Sequence, residues 1–513
     1  MKKVLCLLLC MVLLCGVLAS CNGGGEPAET TTTPSGGGDV TTTTPPTGGN
    51  NNTTTTTNGD NAGTTTLPAG KATQYPKHEY YSFADSLGNP RAYTMLVRQN
   101  RYAYLYGTES STADVSIAAY RRNNLLNAMY DITIGIEQGG GDGKPDEFNT
   151  KLGAGAGVYS LAVPDYWWGI EYAGHFRNLM SIPEIDENDD YWFAGWNDSL
   201  IINNRLYTIV GDATLELLEN LEMIYYNKTL EEAWDLDLYG KVEDGEWTIE
   251  YVAELADAFS STLMDPDPNN DTYAINYDQH TIVGQLYSAG ATFLQTNRHN
   301  NIITPIFDTS RNVELVTQMG DLCQKVAVYY EAHTARANSE NRELFKNGQS
   351  LLLASCLYMG SYIRNEVNSS FEYGLLVMPK LYEEDDYVTT SYGLSFFGIP
   401  DAANDVAFCA VVMDSMNWLS GDVSEEDGGM GENCLTTVYF KGVVQGQLVD
   451  SPEDVEMLNT MRESVFFDFE FIVSTGIEGA FSKAVRAGEA VDVSSVKANA
   501  ETEITTMMEF YNK

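Results

Sequence analysis

The sequence predicts an α/β protein whose mainly parallel sheets are flanked by helices. Strand and helix patterns alternate over residues 93–163, and this order places consecutive strands side by side and parallel. Hydrophobic residues make up 43% of the chain and charged residues 20%, which is typical of a globular protein. Its length accommodates roughly three domains of average size.

The first strand–helix–strand unit follows from residue spacing. Residues 93–97 form a β-rich strand, and residues 131–137 alternate apolar and polar side chains as a second strand does. Between them, apolar residues at helical spacing predict a helix over 116–129. A third strand is predicted over 158–163, and Pro164 ends it.

The rest of the chain continues this alternation. Further strands are predicted at residues 223–228, 350–356 and 373–378. Helices are predicted over 229–234, with Thr229 as N-cap, and over 311–333. Three more are predicted from their starts: one begins after Thr248, one is capped near Asp401, and one has Ser451 as N-cap and Pro452 in its first turn.

The N-terminus has the pattern of an export signal rather than of a structural element. Two lysines precede an apolar run over residues 4–18, which is too short to span a bilayer with margin. The run ends in Leu-Ala-Ser-Cys, which resembles the bacterial lipoprotein processing site. Residues 1–20 are thus predicted to be a signal peptide, and Cys21 to carry the lipid that anchors the chain to the membrane. The alternative is an ordinary cleavage site with an incidental cysteine.

Residues 21–72 are predicted to be a disordered tether. Threonine, glycine, asparagine and proline dominate this segment, so it cannot bury a core. A flexible chain of about 50 residues reaches on the order of 40 Å, which would lift the folded body clear of the lipid surface.

The charge of the chain excludes some partners. A formal net charge of −43 argues against nucleic-acid binding, because an acidic surface repels phosphate backbones. It also argues against docking on anionic lipid through a basic patch.

Four cysteines remain once the signal peptide and Cys21 are set aside. Cys323, Cys356 and Cys409 lie in apolar runs, where a free cysteine packs as a small hydrophobic residue. Export also permits disulfides among them and Cys434, so the sequence leaves their pairing open.

One acidic turn resembles the start of a calcium-binding loop. Oxygen-bearing side chains stand at alternate positions, namely Asp265, Asp267, Asn269 and Asp271. The glycine and the final glutamate expected of such a loop are both replaced by asparagine. An acidic surface turn and a weak calcium site are both open, and no other metal and no cofactor is expected.

Aromatic residues beside Asp and Asn indicate a ligand site. One group follows the predicted third strand, at the strand end where α/β sheets bind ligands. The candidate residues are Asp165, Tyr166, Trp167, Trp168, Trp196, Asn197, Asp198, Tyr392 and Trp418. Aromatic faces stack on sugar C–H faces, and carboxylates and amides bind hydroxyls, which favours a neutral polar ligand. The alternative is that these tryptophans belong to the core.

Motifs of common enzymes are missing from the sequence. It contains no Gly-x-Ser-x-Gly, no His-Glu-x-x-His and no P-loop. With 72 acidic residues, carboxylate pairs of the glycosidase kind must occur by chance and indicate nothing. A protein that is not an enzyme is therefore favoured.

The order of these segments resembles that of extracellular solute-binding proteins of ATP-driven importers, the carbohydrate-type family that includes maltose-binding protein. The matching segments are 158–169, 224–228, 245–248, 345–349, 373–379 and 392–400. The resemblance implies two α/β lobes joined by hinge crossovers, with the ligand trapped between them. It places residues 73–220 and about 388–430 in lobe 1, and residues 221–387 and about 431–513 in lobe 2.

The same resemblance extends the predicted site and function. It adds Glu219 or Asn220, just before the 224–228 segment, and Ser391 beside Tyr392. It implies a monomeric, lipid-anchored protein on the outer face of the cytoplasmic membrane that delivers a sugar or oligosaccharide to ABC permease subunits. A surface glycan-binding or sensing protein and a secreted sugar-acting enzyme are the alternatives.

Overall fold

The computed structural model describes the folded body of the chain. The described residues are 82–99, 102–140, 145–166, 174–264, 271–278, 280–330, 337–366, 371–391, 393–449, 451–470 and 476–511. They all belong to one structural unit, Ala62–Lys513. Several predicted features lie outside the described residues: the signal peptide, Cys21, the tether, Trp167, Trp168, Asp265, Asp267, Asn269 and Tyr392.

The first sheet is parallel throughout. Its strands are β1 (Arg91–Val97), β2 (Ile132–Gln138) and β3 (Leu161–Val163), in the order β2-β1-β3. Helix α1 (Asp114–Tyr130) connects the first two strands, which confirms the predicted strand–helix–strand unit. The register places Val97 beside both Gln138 and Val163, so the three strands end at one edge.

Further strands follow along the chain: β4 (Glu222–Asn227), β5 (Tyr273–Tyr277), β6 (Leu294–Thr296), β7 (Ile303–Pro305), β8 (Val328–Tyr330), β9 (Ser350–Cys356) and β10 (Tyr373–Leu376). Strands β6 and β7 form an antiparallel hairpin, and the others form a second sheet in the order β10-β4-β9-β5-β8. Within the described part of the second sheet, only β4 runs against its neighbours, which agrees with the predicted mainly parallel sheets.

Helices surround both sheets. They are α2 (Pro145–Ala154), α3 (Ala194–Leu200), α4 (Glu216–Glu219), α5 (Lys228–Ala233), α6 (Leu238–Glu243), α7 (Ile249–Phe259), α8 (Thr281–Ser288), α9 (Ser310–Cys323), α10 (Ala337–Lys346), α11 (Met359–Glu366), α12 (Val406–Ser420), α13 (Leu435–Thr437), α14 (Pro452–Glu463), α15 (Ile477–Ala487) and α16 (Val493–Tyr511). A π-helix, Val438–Leu448, continues α13 and packs against α1 and α11.

Capping side chains fix several helix starts. Thr248 caps α7, and Ser451 caps α14 with proline in its first turn, both as predicted. Two predicted caps are wrong. Asn227 rather than Thr229 caps α5, because its Oδ1 accepts from the Leu230 amide at 3.1 Å. Asp405 rather than the predicted Asp401 caps α12, because its Oδ1 accepts from the Phe408 amide at 3.1 Å.

The long helix predicted over 311–333 is also wrong. Helix α9 ends at Cys323, and the chain then forms β8, while 331–333 lie outside the described residues. Strand β8 pairs in parallel with β5 at the end of the second sheet. The Val-Tyr-Tyr sequence of β8 favours a strand. Pairing with β5 also supplies its backbone with hydrogen bonds, and the spacing of apolar residues along the chain does not predict that pairing.

Two lobes, each built on one sheet, are joined by short paired segments. Residues 221–222 lead from α4 into β4, and residues 389–391 lead back toward the first sheet. They pair with each other, since the Glu222 amide donates to the Thr390 carbonyl at 2.9 Å. A third segment, 464–466, pairs with the second through the Phe466 amide and the Thr389 carbonyl at 2.8 Å. We call these three the hinge segments.

Two further findings bear on the cellular context. Cys323, Cys356, Cys409 and Cys434 are buried free thiols, so the pairing left open by the sequence has no disulfide in the folded body. Among the described helices, none is both long and apolar enough to cross a membrane.

Candidate functional site

A buried ion-pair cluster marks the edge where the first sheet ends. Arg98 directly follows β1, and Asp165 follows β3. They are 6% and 4% exposed, and the Arg98 guanidinium forms an ion pair with the Asp165 carboxylate. Nη2 of Arg98 also lies 3.3 Å from Oε1 of Glu216 in α4. The guanidinium thus ties the sheet edge to the helix that precedes the first hinge segment.

Tyr104 adds a neutral phenol to this cluster. It is 3% exposed. Burial raises the pKa of Tyr104 well above its usual value, and the negative charge of Glu216 acts in the same direction. The edge of the first lobe therefore combines one cation, two carboxylates and a phenol that stays protonated.

The second sheet also ends in buried polar groups. Glu222, at the start of β4, lies opposite Cys356 at the end of the antiparallel β9. Asp278, which follows β5, accepts from Arg342 Nη2 at 3.1 Å and from the Ser355 hydroxyl at 2.5 Å. Burial raises the pKa of Asp278, although the guanidinium opposes the shift.

Glu222 is a buried carboxyl that holds its proton at neutral pH. It is 2% exposed and accepts from the Thr390 hydroxyl of the second hinge segment at 2.5 Å. Burial raises the pKa of Glu222 to about 8, against the opposing effect of that hydrogen bond. Gly284 in α8 makes room for it, because a Cβ there would lie 1.5 Å from the Glu222 Oε2 atom.

The two sheet edges approach each other at the lobe boundary. Tyr166, next to Asp165 in the first lobe, is 1% exposed, and Tyr287 in α8 of the second lobe is 0% exposed. Burial raises the pKa of Tyr287 well above its usual value, and Tyr166 is among the groups that add to this. These two phenols therefore join the lobes in the interior, where the ends of the two sheets come close.

The structure places Asp165 and Tyr166 of the predicted aromatic loop, both buried, at the end of the first sheet beside the lobe boundary. Trp167 and Trp168 lie outside the described residues. Asp165 is engaged by Arg98, and its backbone pairs with Ser395 of the strand-like segment after the second hinge segment. A role for this loop in ligand binding stays a prediction.

The second predicted group is held within the protein. Trp196 is 1% exposed and stacks on Phe467, with ring centroids 3.9 Å apart and planes inclined by 25°. The Asn197 amide group bonds the backbone of Val210 in both directions, at 2.9 and 3.0 Å. Asp198 is exposed and pairs with Arg298 of the second lobe at 2.5 Å. These contacts do not test ligand binding, and binding by this group stays a prediction.

The remaining predicted residues lie in three places. Asn220 is buried beside the first hinge segment, where its Nδ2 donates to the Gly393 carbonyl at 2.5 Å. The Ser391 hydroxyl donates to the Leu217 carbonyl at 3.1 Å, and its neighbour Tyr392 lies outside the described residues. Trp418 is buried in α12, which comes between the second and third hinge segments along the chain.

The calcium prediction stays untested, because most of its turn lies outside the described residues. Of its four residues only Asp271 is described. No group of three histidine, cysteine, aspartate or glutamate side chains suited to a metal ion occurs among the described residues.

Sequence reasoning missed Arg98, Glu216, Glu222 and Tyr287. A usable signal existed for Arg98, which stands at the carboxyl end of a strand just as Asp165 does. Glu222 was adjacent to a predicted strand, but nothing local marks a carboxyl that will be buried against a glycine of a distant helix.

Comparison with known proteins identifies the fold. No protein-family model and no curated protein sequence matches this chain. Among solved structures, it is similar to a cyclic α-maltosyl-1,6-maltose binding protein from Arthrobacter globiformis, with 18% identity, a TM-score of 0.51, and coverage of 82% of this chain and 99% of that one. It is also similar to the maltose-binding periplasmic protein MalE from Listeria monocytogenes in complex with maltose, with 12% identity, a TM-score of 0.50, and coverage of 82% and 97%.

The chain therefore has the two-lobed α/β fold of periplasmic binding proteins. The first lobe carries the parallel three-stranded sheet and the second carries the mixed five-stranded sheet. This agrees with the fold class predicted from the sequence.

Proposed function

We propose that this protein is the solute-binding component of an ABC importer and captures a carbohydrate between its lobes. The observation that supports this proposal is the two-lobed fold with its paired hinge segments, at whose boundary buried polar groups of the two lobes, Tyr166 and Tyr287, interact. Proteins of this architecture close around a ligand by hinge motion, because contacts to both lobes exist only in the closed form. The sugars named for the two similar structures favour an oligosaccharide.

The anchoring of this protein forms a second part of the proposal. The apolar run and the Leu-Ala-Ser-Cys sequence favour a lipid on Cys21, and the polar segment after it favours a tether on the outer face of the cytoplasmic membrane. The folded body would then work as a monomer beside the permease, without catalysis.

A binding and closure experiment tests the function. We expect a glycan library that includes maltose and cyclic maltosyl-maltose to contain a ligand that raises the melting temperature of the full chain without being consumed. Small-angle scattering with that ligand should show a smaller radius of gyration than without it. Turnover of the glycan, or an unchanged radius at saturation, would contradict a closing binding protein.

The aromatic loop provides the matched variants for that experiment. Trp167 and Trp168 are adjacent, so we expect only one ring to stack on the ligand. Its replacement by alanine should weaken binding by about 1–3 kcal/mol, by analogy with stacking on nucleic-acid bases. Replacement of the other should destabilise the fold by about 3–5 kcal/mol instead. Calorimetric titration and melting separate the two effects, and wild-type affinity in both would place the ligand elsewhere.

Lipid anchoring is tested separately with Cys21→Ser. Removal of the only thiol at the processing site should abolish incorporation of a palmitate analogue and release the protein from the membrane fraction. The matched control is Cys15→Ser, which changes a cysteine inside the apolar run and should leave labelling intact. Labelling of the Cys21→Ser chain would contradict the proposed anchor.

A further inference from the structure

A pocket of about 400 Å³ lies where the third hinge segment meets both lobes. Its walls come from the first turn of α3, from α4, from the end of α14 and from the hinge segment itself. Helix α14 belongs to the second lobe, since Asp454 in its first turn accepts from the Leu375 amide of β10 at 2.8 Å. On the opposite wall, a Cβ at Gly195 would lie 3.4 Å from the Val465 carbonyl oxygen, so α3 closely approaches the hinge segment. The occupant of this junction pocket would contact both lobes.

Two tryptophans of the first lobe line the junction pocket with indole N–H groups that lack a hydrogen-bond partner. Trp192 and Trp196 are 2% and 1% exposed, and Nε1 of each is buried without an acceptor among the described residues. An indole N–H can only donate, and a buried donor without a partner is costly. Trp247, in contrast, donates from Nε1 to the Val377 carbonyl at 2.8 Å. Two unpartnered donors in the wall of one pocket indicate an occupant that carries acceptors.

The packing of the two rings shows how they take part. A Cβ at Gly211 would lie 2.5 Å from Cε3 and 2.8 Å from Cζ3 of Trp192, so this edge of the ring faces the protein interior. Nε1 is on the other edge of the indole, which is thus turned toward the pocket. Phe467 covers one face of Trp196, with ring centroids 3.9 Å apart, and the ring is nearly inaccessible. Neither ring offers an open face for stacking a sugar, so the pocket presents donors rather than aromatic faces.

Helix α14 adds charged and polar groups at the mouth of the pocket. Asn459, Arg462 and Glu463 all line it and are exposed. The Arg462 guanidinium lies over the Phe440 ring, 4.7 Å from its centroid, and this contact holds it beside the mouth. One cation next to one carboxylate favours a ligand with a single negative charge, because Glu463 would repel a second one.

The remaining wall is apolar and includes Phe193, Leu217 and Leu218. A volume of about 400 Å³ is in the range of sites for small organic molecules. We propose that the junction pocket binds a small organic monocarboxylate, whose carboxylate accepts from Arg462 and from the tryptophan N–H groups while its apolar part packs on the leucines. Hydrogen bonds between charged partners are the strong ones, and a guanidinium matches the geometry of a carboxylate. The inference does not rest on the proposed function, and a contact between Trp196 and a sugar is a separate prediction.

Indole N–H resonances of the ¹⁵N-labelled full chain test the site directly. The chain has seven tryptophans, each with one indole signal, and Trp192→Phe and Trp196→Phe identify two of these signals. Titration with acetate, butyrate and phenylacetate should move both signals with at least one of the three, because each N–H gains a charged acceptor. The Trp247 signal is the internal control and should stay in place, since its N–H already has a partner. Phenylacetamide, which has the apolar body without the charge, should bind about tenfold more weakly than phenylacetate.

Arg462→Gln tests the role of the cation in the same titration. This exposed residue can be replaced without disturbing the fold, which an unchanged melting temperature verifies, and binding of the carboxylate should weaken about tenfold. The matched control is Lys441→Gln, which removes an exposed cation that pairs with Glu432 at 3.2 Å and should leave binding unchanged.

Three results would overturn the proposal. The first is that the Trp192 and Trp196 signals do not move with any of the three carboxylates at millimolar concentration. The second is equal binding of phenylacetate and phenylacetamide. The third is the same affinity in Arg462→Gln and Lys441→Gln, which would show that the guanidinium does not hold the ligand.

Discussion

The ends of the two sheets bury their carboxyl groups in different ways. Each buries carboxyl groups where strands end and where the hinge begins. In the first lobe, Arg98 supplies a cation to both Asp165 and Glu216. In the second lobe, Glu222 accepts a hydrogen bond from the hydroxyl of Thr390, and burial raises its pKa to about 8. The difference is that an ion pair holds the carboxyl groups of the first edge, whereas burial raises the pKa of the carboxyl at the second edge.

Arg98→Met should produce the largest effect, because it leaves two buried carboxylates without their cation. Breaking a buried ion pair by removing one partner costs about 3–5 kcal/mol in the free energy of unfolding. Urea denaturation measures this loss. The matched control is Arg177→Met, whose pair with Asp401 at 3.6 Å is half-exposed and contributes about 0–1 kcal/mol. Equal losses in the two variants would show that the Arg98 cluster has no special role.

Thr390→Val should produce an intermediate effect at the second edge. Removing the hydroxyl leaves the buried Glu222 carboxyl without that donor, at a cost of about 1–3 kcal/mol. Because this hydrogen bond lowers the pKa of Glu222, its loss should also move proton release from Glu222 to higher pH. Denaturation across pH reports both changes. Thr505→Val, on the exposed face of α16, is the control, and a similar pH profile in both would argue against the hydroxyl–carboxyl contact.

Arg298→Gln should produce the smallest change in stability. Arg298 reaches from the loop between β6 and β7 to Glu187 and Asp198 of the first lobe, both at 2.5 Å. Such partly exposed pairs contribute about 0.2–1 kcal/mol, and salt weakens them further. Because these pairs join the two lobes, small-angle scattering at low salt should show a larger radius of gyration for Arg298→Gln than for the wild type.

Lys325→Gln is the matched control for that variant. Its pair with Asp257 at 2.7 Å lies within the second lobe. It should leave the radius unchanged, and a change of the same size in both variants would contradict an inter-lobe contact as the cause.

The sequence predicted much of the fold because its local signals were strong. The strand–helix–strand unit, the Thr248 and Ser451 caps and the strand over 350–356 all appear as expected. The helix predicted over 311–333 is wrong where the chain forms β8, since a helical pattern of apolar residues does not predict pairing with the edge of a sheet. The cap at Asn227 was missed by two residues, because several capping residues stand close together there.

The candidate site was less predictable than the fold. The rule that ligands bind where parallel strands end located Asp165 correctly at the edge of the first sheet. The rule does not apply to Trp196, which lies in a helix and stacks on Phe467, and its role in ligand binding stays a prediction.

By itself, the sequence determined the alternation of strands and helices, the export signal pattern and the strand ends that carry polar residues. Tertiary structure decided which carboxyls share a cation and which keep a proton. Arg98 and Glu216 are 118 residues apart, and Thr390 and Glu222 are 168 apart. The ionisation of a buried carboxyl depends on the groups that surround it in space, and those groups are brought together only when the lobes and the hinge are formed.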